Sequence, residues 1–537
     1  MFGSKRPAGK VAVTAFALAT LAASTTPAQA SLLGGVGGLL GGVVGTVTGV
    51  VDGTVGVVTT ALDTTTGLLG GADWGYAPSQ TSMSQVDDAV GADTMWNRGY
   101  TGKGVGVALI DTGVVPVQGL TSGNVVNGPD LSFDSQSPSP DLDGFGHGTH
   151  MAGIIAGNDG TRSGFKGVAP GATLVSVRVG ASDGSADVSQ VIAGIDWVVQ
   201  HRDDPGMNIR VLNLSFGTDG TQDPALDPLT HAVENAWRHG IVVVVSGGNR
   251  GSTQPSLDNP ARDPYVISVG ADDLAGTTST SLDDSVPDFS SRGSSVRQVD
   301  VVAPGQSIVS LRNPGSVVDT EYPAAVVNTR FFKGSGTSQA TAVVSGAAAL
   351  LLQQRPSLTP DDVKRLLMTT AQPLPMADAA GRGAGLIDVA AAGLAPRPYY
   401  VQRGTVSTGL GTLEGARGDS HVGDDGVDLV GEQDIFGKPW VPSVWAPLSA
   451  AGDAWDGGSW NGADWAGTCW CGTSWAAATW SSRSWSSRSW SGIDWSSRSW
   501  SSRSWSSRSW SGDAWDSRSW SSRSWSGSTW SSAPGGS

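Results

Sequence analysis

The chain has 537 residues, of which 76 are glycine, about twice the usual share. Its formal net charge of −15 argues against a protein that binds nucleic acid by neutralising phosphates. Its two cysteines exclude a disulfide-dense scaffold and a zinc ribbon built from cysteines. At about 100–200 residues per domain, the length allows two to four units.

Residues 1–30 have the features of a secretory signal peptide. Three basic residues within the first ten precede an apolar run at 11–23, and an Ala-Gln-Ala cleavage site occupies 28–30. The alternative is a membrane anchor, but the run is shorter than the roughly 20 residues that a span needs. We therefore expect cleavage and an extracellular protein.

A second uncharged run, 32–51, is long enough to span a bilayer. Eight of its 20 residues are glycine, which makes insertion into lipid weakly favourable. The composition therefore favours a flexible segment over a membrane span. We predict that 31–84 is a Gly/Val/Thr-rich pro-segment or linker.

The region 85–394 has the pattern of one large globular domain. Short β-branched runs predict strands that are buried on both faces, and helical spacing follows at 188–201 and 231–239. Thr359 followed by Pro360 and two acids predicts another helix start. Alternating strands and helices indicate an α/β fold with a doubly wound, mostly parallel sheet. The predicted strands are 105–110, 174–179, 211–214, 241–245, 266–269 and 299–302.

The remaining chain divides into a mixed connection, 395–454, predicted to be a linker, and a low-complexity tail, 455–537. Eighteen of the 22 tryptophans follow residue 439, and from Trp455 they recur at every fifth position. The tail is predicted to be disordered, to form a β-solenoid, or to attach the protein to cell-envelope or polymer glycans by aromatic stacking. Cys469 and Cys471 are too close for an unstrained mutual disulfide, which leaves intermolecular pairing or free thiols.

Two segments early in the domain carry acid–base candidates. Asp111 ends a predicted strand within Ile-Asp-Thr-Gly, at the sheet edge where ligands bind in open α/β folds. Taken alone, it is more typical of a turn or cap. His147 lies in Gly-His-Gly-Thr-His at a predicted helix start, and histidine titrates near neutrality. Metal binding by His147 and His150 is the alternative, and their spacing disfavours it.

Two later segments carry a candidate nucleophile and a candidate oxyanion donor. Asn249 follows an apolar strand and a Gly-Gly turn, so its amide could donate to a developing oxyanion. Ser338 begins a helix rich in small residues after a Gly-Ser-Gly turn, where backbone N–H groups favour negative charge. Taken separately, each has a simpler reading, a turn asparagine and a capping serine.

Together, the segments Asp-Thr-Gly, His-Gly-Thr-His and Gly-Thr-Ser-Gln-Ala resemble the subtilisin-like serine proteases (subtilases, peptidase family S8) over about residues 85–394. The order Asp, His, Ser is also that of subtilisin. The resemblance implies a subtilisin-like fold and a serine endopeptidase acting on proteins or peptides. It implies a catalytic triad of Asp111, His147 and Ser338, with Asn249 in the oxyanion hole.

The resemblance also implies a substrate-binding region made of two stretches. These are Ser215, Phe216 and Gly217, which pair with substrate backbone, and Ser246, Gly247 and Gly248, which line the S1 pocket. A carboxylate at Asp258, near that pocket, would favour a basic P1 residue, but the simpler interpretation is a solvated aspartate. No cofactor is needed for the chemistry. Many relatives bind structural calcium, but no ligand set is readable here, so the metal ligands are unknown.

The chain departs from the family before and after the domain. Many subtilases carry an inhibitory prodomain of about 80 residues that assists folding, and the segment after residue 30 is shorter and lacks an α+β pattern. The sequence is also compatible with two other functions. One is an adhesion or structural protein acting through its tail; the other is a processing protease with one substrate.

Overall fold

The computed structural model describes residues 80–465, apart from 134, 136–140, 162, 253–255 and 425–426. The predicted signal peptide, almost all of the predicted pro-segment, the tail beyond 465 and both cysteines lie outside the described residues. In the part that is described, no helix is both long and apolar enough to cross a membrane.

The centre of the domain is a parallel sheet of seven strands in the order β3-β4-β2-β5-β6-β7-β8. A second sheet, β1-β9-β11-β10, is mixed, and β12 to β16 form small antiparallel pairs near the C-terminal end. The strands are β1 Thr81–Ser82, β2 Gly106–Asp111, β3 Val125–Asp130, β4 Thr173–Arg178, β5 Ile209–Leu214, β6 Val242–Ser246, β7 Ile267–Asp272, β8 Val301–Pro304, β9 Ile308–Leu311, β10 Val326–Val327, β11 Phe331–Gly334, β12 Gly423–Asp424, β13 Val427–Asp428, β14 Trp455–Asp456, β15 Ser459–Trp460 and β16 Ala463–Asp464.

The helices lie between these strands and form two packed groups. α7 packs on β5 to β8 and against α3, whereas α4 packs on β2 and against α5. The helices are α1 Met83–Ala89, α2 Ala92–Asn97, α3 His147–Ala156, α4 Val188–His201, α5 Pro228–Arg238, α6 Val317–Glu321, α7 Thr337–Gln354, α8 Pro360–Thr370, α9 Val389–Leu394, α10 Leu413–Arg417 and α11 Pro442–Ala451.

The α/β prediction is confirmed, and all six predicted strands belong to the parallel sheet. β2 is buried along its whole length between β4 and β5, with Val107 opposite Leu174 on one side and Val211 on the other. An apolar strand paired on both edges satisfies its backbone and removes its side chains from water. The predicted helix start is also confirmed, because the Thr359 side chain accepts from the backbone N–H of Asp362.

Residues 395–454 differ from the predicted linker, because they fold onto the preceding domain. They contain α10 and α11 and lead into the strands β14 to β16. Trp445 and Trp460 both donate from Nε1 to Asp196 of α4, at 2.8 and 2.9 Å. The first tryptophans of the repeat, Trp455, Trp460 and Trp465, are buried. Composition could not reveal this packing, since the partners are about 250 residues away.

Candidate active site

The carboxyl end of β2 and the start of α3 bring Asp111 and His147 together. His147 Nδ1 lies 2.7 Å from Asp111 Oδ1 and 2.9 Å from Oδ2, and both side chains are buried. A carboxylate on Nδ1 fixes the tautomer of the ring, so that the proton stays on Nδ1 and Nε2 is the basic nitrogen. The geometry suits a general base oriented by an acid.

The approach of these two elements depends on glycine at position 148. A Cβ on Gly148 would lie 2.1 Å from the carbonyl oxygen of Gly113 and 3.2 Å from Asp111 Oδ1. Any side chain there would push the helix away from the Asp-Thr-Gly turn. The glycine next to the histidine therefore permits the Asp111–His147 contact.

Ser338 is the second residue of α7 and is fully buried. Gly336 precedes the helix and offers no side-chain cap, and the first N–H group of α7, that of Thr337, donates to Asn249 Oδ1 at 2.9 Å. Because α7 packs against α3, the helix that carries Ser338 contacts the helix that carries His147. β2, which ends at Asp111, contacts both of these helices.

The orientation of the Asn249 amide is set by Thr337. Asn249 Oδ1 accepts from the Thr337 backbone N–H at 2.9 Å and from Thr337 Oγ1 at 3.0 Å. Thr337 Oγ1 in turn accepts from the Gly248 N–H at 3.3 Å. Since the carbonyl end of the amide is held this way, the donor end is Nδ2. An amide beside the start of α7 with its donor end defined is suited to an oxyanion.

The two predicted substrate-binding stretches leave neighbouring strands. Ser215, Phe216 and Gly217 follow β5, while Ser246 ends β6 and precedes Gly247 and Gly248. β5 and β6 are paired in parallel, so both stretches leave the sheet at its carboxyl edge.

Asp258 lies between these two stretches, but its charge is compensated. Its carboxylate is buried and lies 2.5 Å from Arg250 Nη2, which also donates to the Thr218 carbonyl oxygen. A Cβ on Gly217 would lie 2.7 Å from Asp258 Cβ, which shows how closely the aspartate approaches the stretch. The sequence hypothesis of a free carboxylate for a basic P1 residue therefore fails, since Arg250 already balances that carboxylate.

Comparison with known proteins identifies the same family as the sequence motifs. A model of the subtilase family, Peptidase_S8, matches residues 102–397, more than half of the chain. The serine protease AprX of Bacillus subtilis is 42% identical over 274 residues, covering 50% of this chain and 61% of AprX. Subtilisin DY of Bacillus licheniformis is 37% identical over 303 residues, covering 56% of this chain and 95% of that protein. The chain belongs to the subtilase family.

Among solved structures, a cold-adapted subtilisin-like serine proteinase is 33% identical, with a TM-score of 0.42, and the match covers 54% of this chain and 90% of that one. The chain spans less than two thirds of AprX. Residues 398–465 of this subtilase lie beyond the part that the family model matches.

Sequence reasoning missed the role of Asp143, which supports the subtilase site. The Asp143 carboxylate accepts from the backbone N–H groups of Gly146 and Thr149, at 2.6 and 2.8 Å, at the start of α3. It also accepts from Thr112 Oγ1 at 2.8 Å, next to Asp111. Asp143 lies three residues before Gly146, the N-cap of α3, so the usual capping position did not reveal it. Asp143 thus links the strand end to the helix start.

The expectation of structural calcium gains no ligand set from the described residues. They contain no group of three or more His, Cys, Asp or Glu side chains placed to hold a metal ion. One cluster of oxygens of the kind that calcium binds is filled by an ammonium group. Lys364 Nζ donates to the carbonyl oxygens of Pro264 and Val266, at 2.5 and 2.8 Å, and lies 3.2 Å from Asp300 Oδ2.

His150 lies one turn after His147 on α3 and is enclosed by the protein. Its ring is fully buried. Burial, together with the neighbouring His147, holds the pKa of His150 well below its ordinary value. The ring is therefore neutral at physiological pH, so His150 adds no positive charge beside the Asp111–His147 pair.

Proposed function

We propose that the chain is a secreted serine endopeptidase that hydrolyses peptide bonds through an acyl-enzyme. The observation that carries the proposal is the buried contact of 2.7 Å between His147 Nδ1 and Asp111. His147 lies on α3, which packs against α7, the helix that carries Ser338. Membership of the subtilase family supports the same reaction class.

In the proposed mechanism, Ser338 Oγ attacks the scissile carbonyl carbon while its proton moves to His147 Nε2. The tetrahedral intermediate collapses, the C–N bond breaks, and His147 returns the proton to the departing amine. Water then attacks the ester, again giving its proton to His147, and the acid product leaves as Ser338 regains its proton. Asp111 orients the ring and stabilises the imidazolium that forms in each half-reaction.

Asn249 Nδ2 and the backbone N–H of Ser338 are proposed to bind the oxyanion. Both donors are held before substrate arrives, the amide by Thr337 and the N–H by the first turn of α7. Donors that need no reorganisation stabilise a developing charge more than mobile ones do.

The proposed substrates are proteins or peptides bound in extended form against Ser215, Phe216 and Gly217, with P1 next to Ser246, Gly247 and Gly248. Pairing by strand addition recognises the main chain, which favours a broad endopeptidase over a processing enzyme with one substrate. Since Arg250 balances Asp258, we expect no preference for a basic P1 residue.

Export and the role of the tail remain predictions, because 1–79 and 466–537 lie outside the described residues. We propose that residues 1–30 direct export and that the tail attaches the enzyme to cell-envelope or polymer glycans. Repeated tryptophans at five-residue spacing offer the aromatic faces that such binding uses.

The proposal is tested with the full chain on an unfolded protein substrate, by following the release of new amino termini. Wild type and the Ser122→Ala variant, which alters an exposed serine, are expected to cleave equally. Ser338→Ala and His147→Ala should reduce the rate by several orders of magnitude. Equal cleavage by Ser338→Ala and wild type would contradict the proposed nucleophile.

A further inference from the structure

The substrate strip, defined as residues 215–217, continues into a turn that the C-terminal part of the chain contacts closely. The turn consists of residues 218–222, and its partner is residues 412–420, here called the supporting segment. Neither α10, which belongs to the supporting segment, nor the rest of 412–420 lies in the part matched by the family model, which ends at 397. The contact is therefore made by residues 398–465, here called the C-terminal extension, which follow the part matched by the family model.

The first contacts are made at Thr218, directly after the strip. Thr218 Oγ1 donates to the Ala416 carbonyl oxygen at 2.5 Å. The Thr218 backbone pairs with Asn259 in both directions, at 2.9 Å each, and its carbonyl oxygen also accepts from Arg250. Thr218 is thus held on one side by Asn259 and Arg250 and on the other by the supporting segment.

The following residues of the turn repeat this arrangement. Asp219 Oδ1 accepts from the Asp419 backbone N–H at 2.7 Å and from Ser420 Oγ at 3.2 Å. Gln222 Oε1 accepts from the Thr412 N–H at 2.8 Å, and Gln222 Nε2 donates to the Thr412 carbonyl oxygen at 3.2 Å.

At Gly220, the backbone of the turn lies so close to the backbone of the supporting segment that no side chain would fit. A Cβ on Gly220 would lie 2.6 Å from the carbonyl oxygens of both Gly415 and Ala416. On its other side, Gly220 accepts through its own carbonyl oxygen from Arg262. Gly220 is therefore enclosed between Arg262 on one side and the supporting segment on the other.

The supporting segment is itself fixed to the domain by a buried charge pair. Arg417, at the end of α10, contacts Asp187, which caps α4, at 2.7 Å, and neither side chain is accessible. A segment held this way can transmit its position to the turn, because a buried ion pair resists displacement. This distinguishes it from a loose surface contact.

We propose that the supporting segment positions the substrate strip, and that Thr218 and Asp219 are positioning residues for the hydrolysis of extended peptides. The inference rests on the proposed protease function. A strip that receives a substrate by strand addition must be ordered beforehand, since any order gained on binding is subtracted from affinity. Weakening the support should raise KM for long substrates and leave the chemistry at Ser338 unchanged.

The test compares Asp219→Ala and Thr218→Val with Ser449→Ala in the full chain. The hydroxyl of Ser449, on α11 of the same C-terminal extension, donates to Asp196 on α4 and accepts from Asn235 on α5. The control therefore weakens the attachment of the extension without touching the turn. Each variant is assayed with a tetrapeptide amide and with a single-residue ester, and its unfolding temperature is measured.

Asp219→Ala and Thr218→Val are expected to raise KM for the tetrapeptide about three- to tenfold, with kcat and the KM for the ester nearly unchanged. Ser449→Ala should lower the unfolding temperature and leave both KM values unchanged. The proposal is overturned if the two turn variants, Asp219→Ala and Thr218→Val, keep the wild-type KM for the tetrapeptide, or if Ser449→Ala raises that KM equally. A wild-type chain that cleaves neither substrate would instead refute the protease function.

Discussion

Asp187 and Arg417 form a fully buried ion pair, 2.7 Å apart, that joins α4 to the C-terminal extension across 230 residues of sequence. Burial alone would raise the pKa of Asp187, but Arg417 holds that pKa below its ordinary value. Arg417 also donates to the carbonyl oxygen of Gly431, at 2.6 Å, so one guanidinium connects α4 with two parts of the extension.

Replacing Arg417 should therefore destabilise the whole domain. Arg417→Met leaves the Asp187 carboxylate buried and uncompensated, a change that typically costs about 3–5 kcal/mol. We expect a clear fall in the urea midpoint of unfolding, measured in a Ser338→Ala background to prevent self-digestion. Arg202→Ala, which removes the partner of the exposed Asp203, is the control and should change stability by about 0–1 kcal/mol. Equal effects would show that the extension contributes little.

Thr337 should affect turnover through Asn249. Thr337→Val removes the Oγ1 donor to Asn249 and keeps the backbone N–H, so the amide is less well held. The expected result is a decrease in kcat of about tenfold with little change in KM, equivalent to about one hydrogen bond. Thr337→Ser should restore most of the rate. In subtilisin itself, loss of the oxyanion asparagine costs about 10²–10³ in kcat, and Asn249→Ala should behave alike. An unchanged kcat in Thr337→Val would contradict this role.

Arg250 should determine how the S1 region responds to charge. Arg250→Gln leaves Asp258 without its partner, and we expect kcat/KM for a Lys P1 substrate to rise relative to an Ala P1 substrate by about tenfold. Burial raises the pKa of Asp258, so the preference should be stronger at high pH, where the carboxylate is ionised. The double variant with Asp258→Asn should lose the preference. A lysine preference that persists in the double variant would place its origin elsewhere.

Asp284 should make stability depend on pH. The carboxyl groups of Asp272 and Asp284 are both buried and interact with each other. Burial and the neighbouring Asp283 raise the pKa of Asp284 to about 6. Between about pH 4 and 6 the unfolded chain loses this proton while the folded chain keeps it, so folding stability falls as pH rises.

Asp284→Asn should therefore raise the unfolding temperature at pH 7.5 and have little effect at pH 4. The asparagine amide can donate to Asp272, where two carboxylates repel each other. Differential scanning calorimetry at the two pH values measures the difference, again in the Ser338→Ala background. Asp288→Asn, at an exposed site, is the control and should change neither value. A gain that is the same at both pH values would contradict the assignment of the effect to ionisation.

The sequence was sufficient for the parts of the fold that depend on local pattern. The predicted strand 105–110 is observed as Gly106–Asp111, because an unbroken apolar run is compatible with few positions other than a buried strand. β3 was missed, since its sequence Val-Val-Asn-Gly-Pro-Asp combines two apolar residues with a turn-forming Asn-Gly-Pro. Its pairing with β4 is a tertiary effect that propensity does not report.

The contact between Asp111 and His147 was predictable from local motifs, whereas contacts between more distant side chains were not. Asp111 and His147 lie in short segments whose contact the structure confirms. The pairing of Asp258 with Arg250 and of Asp187 with Arg417 could not be predicted, because each depends on how distant or looped segments approach in space. The extension was misjudged as a linker since its buried partners are spread over α4 and α5.

The most direct test of the proposed nucleophile is labelling of the full chain with a fluorophosphonate probe, followed by mass spectrometric mapping of the modified peptide. We expect the phosphonyl group on Ser338 in wild type, no labelling of Ser338→Ala, and strongly reduced labelling of His147→Ala, because the serine then lacks its base. Labelling of Ser338→Ala at the wild-type level, or modification of wild type at another residue, would contradict the assignment of Ser338 as the nucleophile.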